Sequence, residues 1–226
     1  MARPKEFDRT EVLDRATRLF WERGFAGASI SDLEAAMGIG RTSIYAAFGA
    51  KEDLFMAAID HYDATYSIKL RNALTSGVPV RQAIALYFEE LLKAFSDPDL
   101  PLGCLVTNVA VEGDRGTTRM GRRIAASITR AEDTFYKVLR AAQVDGAIDP
   151  RADVRSVSRF LVMNTHGLSA LAKAVSDVAA LRDVVGIILK SVDELLMAGA
   201  TPANASLPAD GVARSAQGDR VSLTSA

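Results

Sequence analysis

A single cysteine, Cys104, in 226 residues leaves no basis for an intramolecular disulfide framework or a multi-cysteine zinc site. Histidine is almost as scarce, with only His61 and His166 in the chain. Neither has a glutamate at metal-ligand spacing, no glycine-flanked nucleophile elbow is present, and no glycine-rich loop is set to cradle a phosphate. The expectation is a protein without enzymatic activity, cofactor or metal. Long apolar runs are missing as well. The uncharged stretch at residues 161–172 contains Asn164, Thr165, His166 and Ser169 and falls short of the ~20 apolar residues that span a bilayer. Charges from Arg3 to Arg23 leave no apolar signal core at the N-terminus, so a cytoplasmic protein with no membrane partner is expected. Neither sign of charge dominates. A formal net charge of −1 argues against wholesale electrostatic capture by nucleic acid, so any such contact depends on local arrangement.

What is present is globular and helical. Hydrophobic residues make up 49% and charged residues 24%, enough to build a core. Prolines stand at positions 4, 79, 98, 101, 150, 202 and 208, and the segments between them carry apolar residues at helical spacing with no strand pattern. An all-α fold follows. The first helix is expected from Arg9 to Arg23, ending at Gly24. A second starts after Ser29, which with Asp32 three residues on has the form of a capping box, and ends near Met37. After Gly38-Ile39-Gly40 comes a short helix from Arg41, then Phe48-Gly49 and one long helix over 50–74. Further helices are expected near 79–95, 102–111, 118–142, 152–175 and 177–198. This divides the chain into an N-terminal unit at 1–50, a larger helical body at 51–200 entered through the 51–74 connecting helix, and a tail at 201–226 too poor in large apolar residues to fold alone.

Two short helices joined by a glycine turn match a helix-turn-helix, with Gly38 as the small turn residue and Leu33, Ile39 and Ile44 as the apolar lock. Such pairs also occur in many all-helical proteins. The surrounding residues are more specific: Phe20-Trp21-Glu22-Arg23-Gly24-Phe25, Ser29-Ile30-Ser31-Asp32-Leu33, and Ser43-Ile44-Tyr45-Ala46-Ala47-Phe48-Gly49-Ala50-Lys51-Glu52-Asp53-Leu54-Phe55. Over about the first 60 residues this resembles the N-terminal domain of the TetR family of bacterial transcriptional repressors. The resemblance implies a recognition helix from Arg41 to Phe48, phosphate contacts from Tyr45 and Lys51, and a divergent helical body for ligand binding and dimerisation. It departs at Glu34, where the family usually has a small residue. The opening Arg3-Pro4-Lys5-Glu6-Phe7-Asp8 resembles a DNA-reaching arm of one subgroup, and a solvated terminus is the other reading of Arg3 and Lys5.

The implied partners are double-stranded DNA with a palindromic operator, a second copy of the chain, and a small apolar or amphipathic effector. Up to Lys51 there are eight Lys or Arg against seven Asp or Glu, so binding rests on placement. Arg3, Lys5, Ser29, Arg41, Thr42, Ser43, Tyr45 and Lys51 are the candidate DNA contacts.

Two apolar seams, Val154-Val157-Leu161-Leu168-Leu171-Val175 and Val178-Leu181-Val185-Ile188-Val192-Leu195, repeat in steps of three and four, with Asn164 interrupting the first. They are read as a homodimer interface carried by Leu161, Leu168, Leu181, Val185, Ile188 and Val192, with packing inside one subunit as the alternative. Tyr87, Cys104, Asn108, Phe135 and His166 are candidate effector-cavity linings. Cys104, in a Gly-Cys-Leu segment similar to one in a subset of TetR-like repressors, is either a small core residue or a thiol sensor of electrophiles. A DNA-organising factor with no effector is a further alternative, which a sealed body would favour. Arg115, Arg119, Arg122, Arg123 and Arg130 form a basic stretch read as a solvated face, with anion or partner binding as the other reading.

Overall fold

The computed structural model describes residues 7–113, 116–174 and 177–197, and these form ten helices and no strand. Arg3, Lys5, Arg115, Val175 and the tail from Thr201 lie outside the described residues. Helix α1 (Arg9–Gly27) begins where the Asp8 carboxylate accepts the amides of Thr10 and Glu11 at 2.8 and 3.2 Å, a cap that contributes about 1 kcal/mol. Its regular course ends at Gly24, as the sequence predicts. Gly24 takes φ 74°, and a β-carbon there would collide with the carboxylate of Glu112. That carboxylate accepts instead the freed amides of Phe25 and Ala26, at 2.8 and 3.0 Å.

Helix α2 (Ile30–Met37) carries the expected capping box, with the Asp32 amide donating to Ser29 Oγ at 3.1 Å and the Ser29 amide to Asp32 at 2.9 Å. It stops at Gly38, whose left-handed φ of 70° turns the chain into α3 (Arg41–Phe48). Leu33 and Ile44, both fully buried, lock the pair.

The single helix expected over 50–74 is two helices, α4 (Lys51–Thr65) and α5 (Ser67–Leu74), divided at Tyr66 with φ −104° and ψ −55°. The break falls where α1 makes a tertiary demand. The Tyr66 hydroxyl donates to Asp14 at 2.7 Å and its ring meets Trp21 edge-on at 5.2 Å. Apolar spacing within 50–74 carries no mark of that anchor.

The body continues with α6 (Val80–Ser96), α7 (Leu105–Ala110), α8 (Arg119–Val144), α9 (Val154–Leu171) and α10 (Val178–Met197). Its core gathers Ile84, Phe88, Leu92, Phe135 and Leu139 with the inner faces of α9 and α10. The other core, built around Phe20, Leu33, Ile44 and Phe55, does not end at the N-terminal unit: Leu105, Val106 and Val109 of α7 and Ile124 of α8 belong to it. Head and body therefore share a core.

Two expectations need correction. Leu161, Leu168, Leu181, Val185, Ile188 and Val192 are each 3% exposed or less in the single chain, packed into the body core. Steps of three and four define an apolar stripe but not what it faces; here α10 lies against α6 and α9 of its own subunit, so the stripes face inward except at Leu171 and Leu195, which are exposed. The basic stretch is also not a purely solvated face. Arg123 of α8 reaches Asp60 and Asp63 of α4 at 2.7 and 2.8 Å, Arg130 shares Asp63 at 2.7 Å, and Arg119 pairs with Asp53. Burial works against the Arg123 charge, yet its bonds to Asp63 and Asp60 prevail and hold it above the usual arginine value.

Candidate nucleic-acid interface and buried cavity

Helix α3 turns Ile44 and Phe48 inward and leaves Arg41, Thr42 and Tyr45 exposed, at i, i+1 and i+4 on one outward stripe. Tyr45 is 45% exposed, unusual for a tyrosine with a core beside it. Ser43 is half-buried at the edge of this stripe, and Ser29 is exposed at the start of α2. The helix holds no acid. The nearest carboxylates are already engaged: Asp32 with Ser29 and with Arg23 at 2.9 Å, and Glu34 with the start of α3. Glu34, the departure in the sequence pattern, accepts the Arg41 amide at 2.6 Å and so caps a helix whose own N-cap, Gly40, has no side chain to do it. Its second oxygen lies 3.4 Å from the Arg41 guanidinium.

Lys51 is placed differently from the other candidates. Its ammonium donates to the Phe25 carbonyl at 2.6 Å and sits 4.4 Å from the centre of the Phe25 ring, and burial lowers its pKa from the ordinary lysine value. Sequence reasoning also missed Arg9, which donates to the Ala47 carbonyl at 3.2 Å and covers the Phe48 ring, bracing the C-terminal end of α3. A cation at a helix C-terminus is a recognisable signal only once the two segments are known to meet.

Between the head and the body lies a cavity of about 420 Å³, within the range of small-molecule sites. Of the five sequence-derived linings, Tyr87, Cys104 and His166 are on its wall. Asn108 and Phe135 are not. Asn108 is buried and spends its amide on the carbonyls of Trp21 and Leu102, at 2.7 and 3.4 Å. Phe135 packs edge-on behind Tyr87 at 4.8 Å and shapes the wall from outside. The missed linings are Trp21 of α1, Tyr62 of α4 and Tyr66. Phe55, Ile59, Tyr62 and Tyr66 continue one helical stripe beyond the head's own core, the one sequence signal that pointed to them.

The wall is neutral where it is buried. Burial pushes the Tyr62 hydroxyl pKa well up, and the neighbouring Cys104 thiol adds to the shift. Burial likewise raises the Tyr87 hydroxyl, with the neighbouring Thr165 side chain working against it. The His166 Nδ1 pairs with Thr107 Oγ1 at 2.7 Å, and burial lowers its pKa, so the imidazole is uncharged at neutral pH. Cys104 is half-buried at the N-cap of α7, a helix of six residues. Among the described residues no group of three or more His, Cys, Asp or Glu is placed to hold a metal ion, and no helix is long and apolar enough to cross a membrane.

Comparison with known proteins covers both halves of the chain. Residues 12–58 match the bacterial regulatory proteins of the tetR family, and residues 81–188 match the tetracyclin repressor-like C-terminal domain. The HTH-type transcriptional regulator YezE of Bacillus subtilis is 32% identical over 194 residues, covering 85% of this chain and all of that one. The HTH-type transcriptional repressor ComR of Escherichia coli is 31% identical over 195 residues, 86% of this chain and 93% of its own. Among solved structures, a cysteine mutant of the regulator CifR in complex with 26-base-pair double-strand operator DNA superposes with a TM-score of 0.79 at 32% identity, covering 84% of this chain and 99% of that one.

Proposed function

The chain belongs to the TetR family of bacterial regulatory proteins, and from that premise we propose that it is a cytoplasmic repressor, binding a palindromic operator as a homodimer and released by a small molecule in the cavity. One observation carries the reading. The acid-free stripe of Arg41, Thr42 and Tyr45 projects from a head whose own α1 and α4 form part of the cavity wall, so what fills the cavity touches the elements that aim the stripe. The relatives named as repressors and the operator complex of CifR agree with it.

In this reading Arg41, Thr42 and Ser43 reach base edges, and Tyr45 and Lys51 hold phosphates, Lys51 by swinging its ammonium off the Phe25 carbonyl. The partner subunit docks on the outer faces of α9 and α10, where Met163, Leu171, Val184, Ile187 and Leu195 are exposed. A cavity in the body disfavours an organising factor without an effector. Effector and operator then oppose each other through one equilibrium: a hundredfold loss of operator affinity requires about 2.7 kcal/mol of preference for the released arrangement. Cys104 on the wall admits thiol chemistry as a second mode, which a Cys104→Ser protein with an unaltered response would eliminate. The direct test is selection from random duplexes with the full chain. Enrichment of a two-fold symmetric sequence is expected, with affinity falling steeply in salt, about 0.9 log unit per log unit of salt for each phosphate neutralised. Selection that enriches no sequence refutes the proposal.

A further inference from the structure

Glu34 holds both sides of the glycine turn. Its carbonyl accepts the Gly38 amide at 3.0 Å and closes α2. Its carboxylate crosses the turn and meets Arg41 twice: Oε1 accepts the Arg41 amide at 2.6 Å, and Oε2 lies 3.4 Å from the guanidinium. Capping α3 needs only the first of these contacts, and a neutral cap residue at position 40 would supply it without a charge. A carboxylate beside the helix that meets the duplex is repelled by every nearby phosphate, so it weakens binding unless the charge itself has a use. The other carboxylate of α2, Asp32, is turned away to Ser29 and Arg23, and α3 holds no acid of its own.

We propose that Glu34 is a specificity-determining residue: by fixing Arg41 at both its amide and its guanidinium, it aims that side chain at a guanine and keeps it off the phosphates. The proposal rests on the repressor reading and names how one base in each half-site is chosen. An arginine guanidinium carries five N–H donors in a planar fork. With one nitrogen turned to Glu34, the fork keeps an edge that can donate to both O6 and N7 of guanine, a pattern the major groove shows for no other base. Without that neighbour, Arg41 is a long exposed cation free to take a phosphate oxygen instead, a contact that carries no sequence information. The pair is open to water on one side, so its effect is modest. Attractions of this kind hold a side chain to one direction by a factor of about 1.5 to 5.

The test takes the full-length protein, Glu34→Gln, Arg41→Ala and the double substitution through selection from random duplexes. Gln keeps an oxygen for the Arg41 amide and removes the charge, and thermal melting followed by circular dichroism checks that each variant folds. The guanine that Arg41→Ala ceases to select marks the Arg41 position. Binding is then titrated with the selected duplex and with one carrying adenine in place of that guanine in both half-sites. The wild type should favour guanine, and Glu34→Gln should reduce the guanine-to-adenine ratio about threefold per half-site, or about tenfold for the symmetric pair. It should do so by binding the adenine duplex more tightly, with a salt slope steeper there by about 0.9 for each freed Arg41. Loss of a cap alone gives a different result, because a weakened α3 binds every duplex less well and leaves the ratio unchanged. In the Arg41→Ala background, Glu34→Gln should not move the ratio, since Glu34 acts through Arg41. An unchanged ratio for Glu34→Gln alone, or a changed one with Arg41 absent, overturns the proposal. So does an Arg41→Ala protein whose selected half-site keeps every guanine. These results leave the repressor reading standing, whereas a wild type that enriches no duplex refutes that reading and this proposal with it.

Discussion

Neighbouring isoleucines on α10 should respond to the same substitution in opposite ways. Ile188 is 3% exposed and part of the body core, whereas Ile187 is 61% exposed on the outer face. Ile188→Glu forfeits roughly 1.5–3 kcal/mol of apolar burial and forces a carboxylate into an interior that holds no partner for it. The sum, about 4 kcal/mol or more, is a large fraction of the ~5–15 kcal/mol that holds a domain folded. Ile187→Glu should change the stability of the isolated subunit by no more than about 0.5 kcal/mol, because the side chain is already mostly in water. In a two-fold interface the exposed 61% becomes buried on each side. Scaled from the same burial values, the lost contact is about 1–2 kcal/mol per copy and 2–4 kcal/mol for the pair, or roughly 30-fold to 1000-fold in the dimer dissociation constant. Sedimentation velocity over a dilution series, with thermal melting followed by circular dichroism, separates the cases. The expected results are a folded monomer for Ile187→Glu and an unfolded or aggregated chain for Ile188→Glu. A folded monomer from Ile188→Glu, with a dimer from Ile187→Glu, would refute the assignment of faces.

Tyr66→Phe removes the hydroxyl that donates to Asp14. Burial pushes the Asp14 carboxyl up, but hydrogen bonds from Tyr66, Arg18 and His61 outweigh it and leave the pKa below the ordinary 3.8. A depressed carboxylate stabilises the fold above its unfolded pKa and loses that contribution as pH falls through the folded value. Urea unfolding should therefore show wild type ahead by about 1 kcal/mol at pH 7, narrowing below pH ~4, and a gap that widens in acid would contradict the argument. On DNA, Arg41→Ala should relax base preference at one position per half-site, while Lys51→Ala should weaken all sequences alike and lower the salt slope by about 1. A changed consensus with Lys51→Ala would reverse the two roles.

Local chemistry was legible in the sequence wherever a few adjacent residues decide the outcome. Ser29 and Asp32 cap α2 and Gly38 turns into α3, because each constraint closes within one turn of chain, and Gly24 ends the regular course of α1 by its own left-handed φ. The cavity was half legible. Tyr87, Cys104 and His166 could be placed by asking which body residues combine polarity with an apolar neighbourhood, but nothing local says that Asn108 spends its amide on the carbonyl of Trp21. The inward turn of the α9 and α10 seams was not legible for a different reason. Period gives the angle of a stripe about its own helix, and only the packing of α6 against α10 says which way that stripe points. The break at Tyr66 likewise belongs to Asp14, some fifty residues away in sequence.

That break gives α4 the geometry of a short lever. Ion pairs from α8 reach α4 at Asp53, Asp60 and Asp63, so a displacement of α8 is passed to α4, and Tyr66 marks the end of α4. With 15 residues at a rise of about 1.5 Å each, α4 is roughly 22 Å long. A swing of about 5° about the Tyr66 end moves the far end, beside α3, through roughly 2 Å. A hydrogen bond of about 2.9 Å is gone by 3.6 Å, so a displacement of that size at the far end of α4 exceeds what a contact between a side chain and a base edge would tolerate.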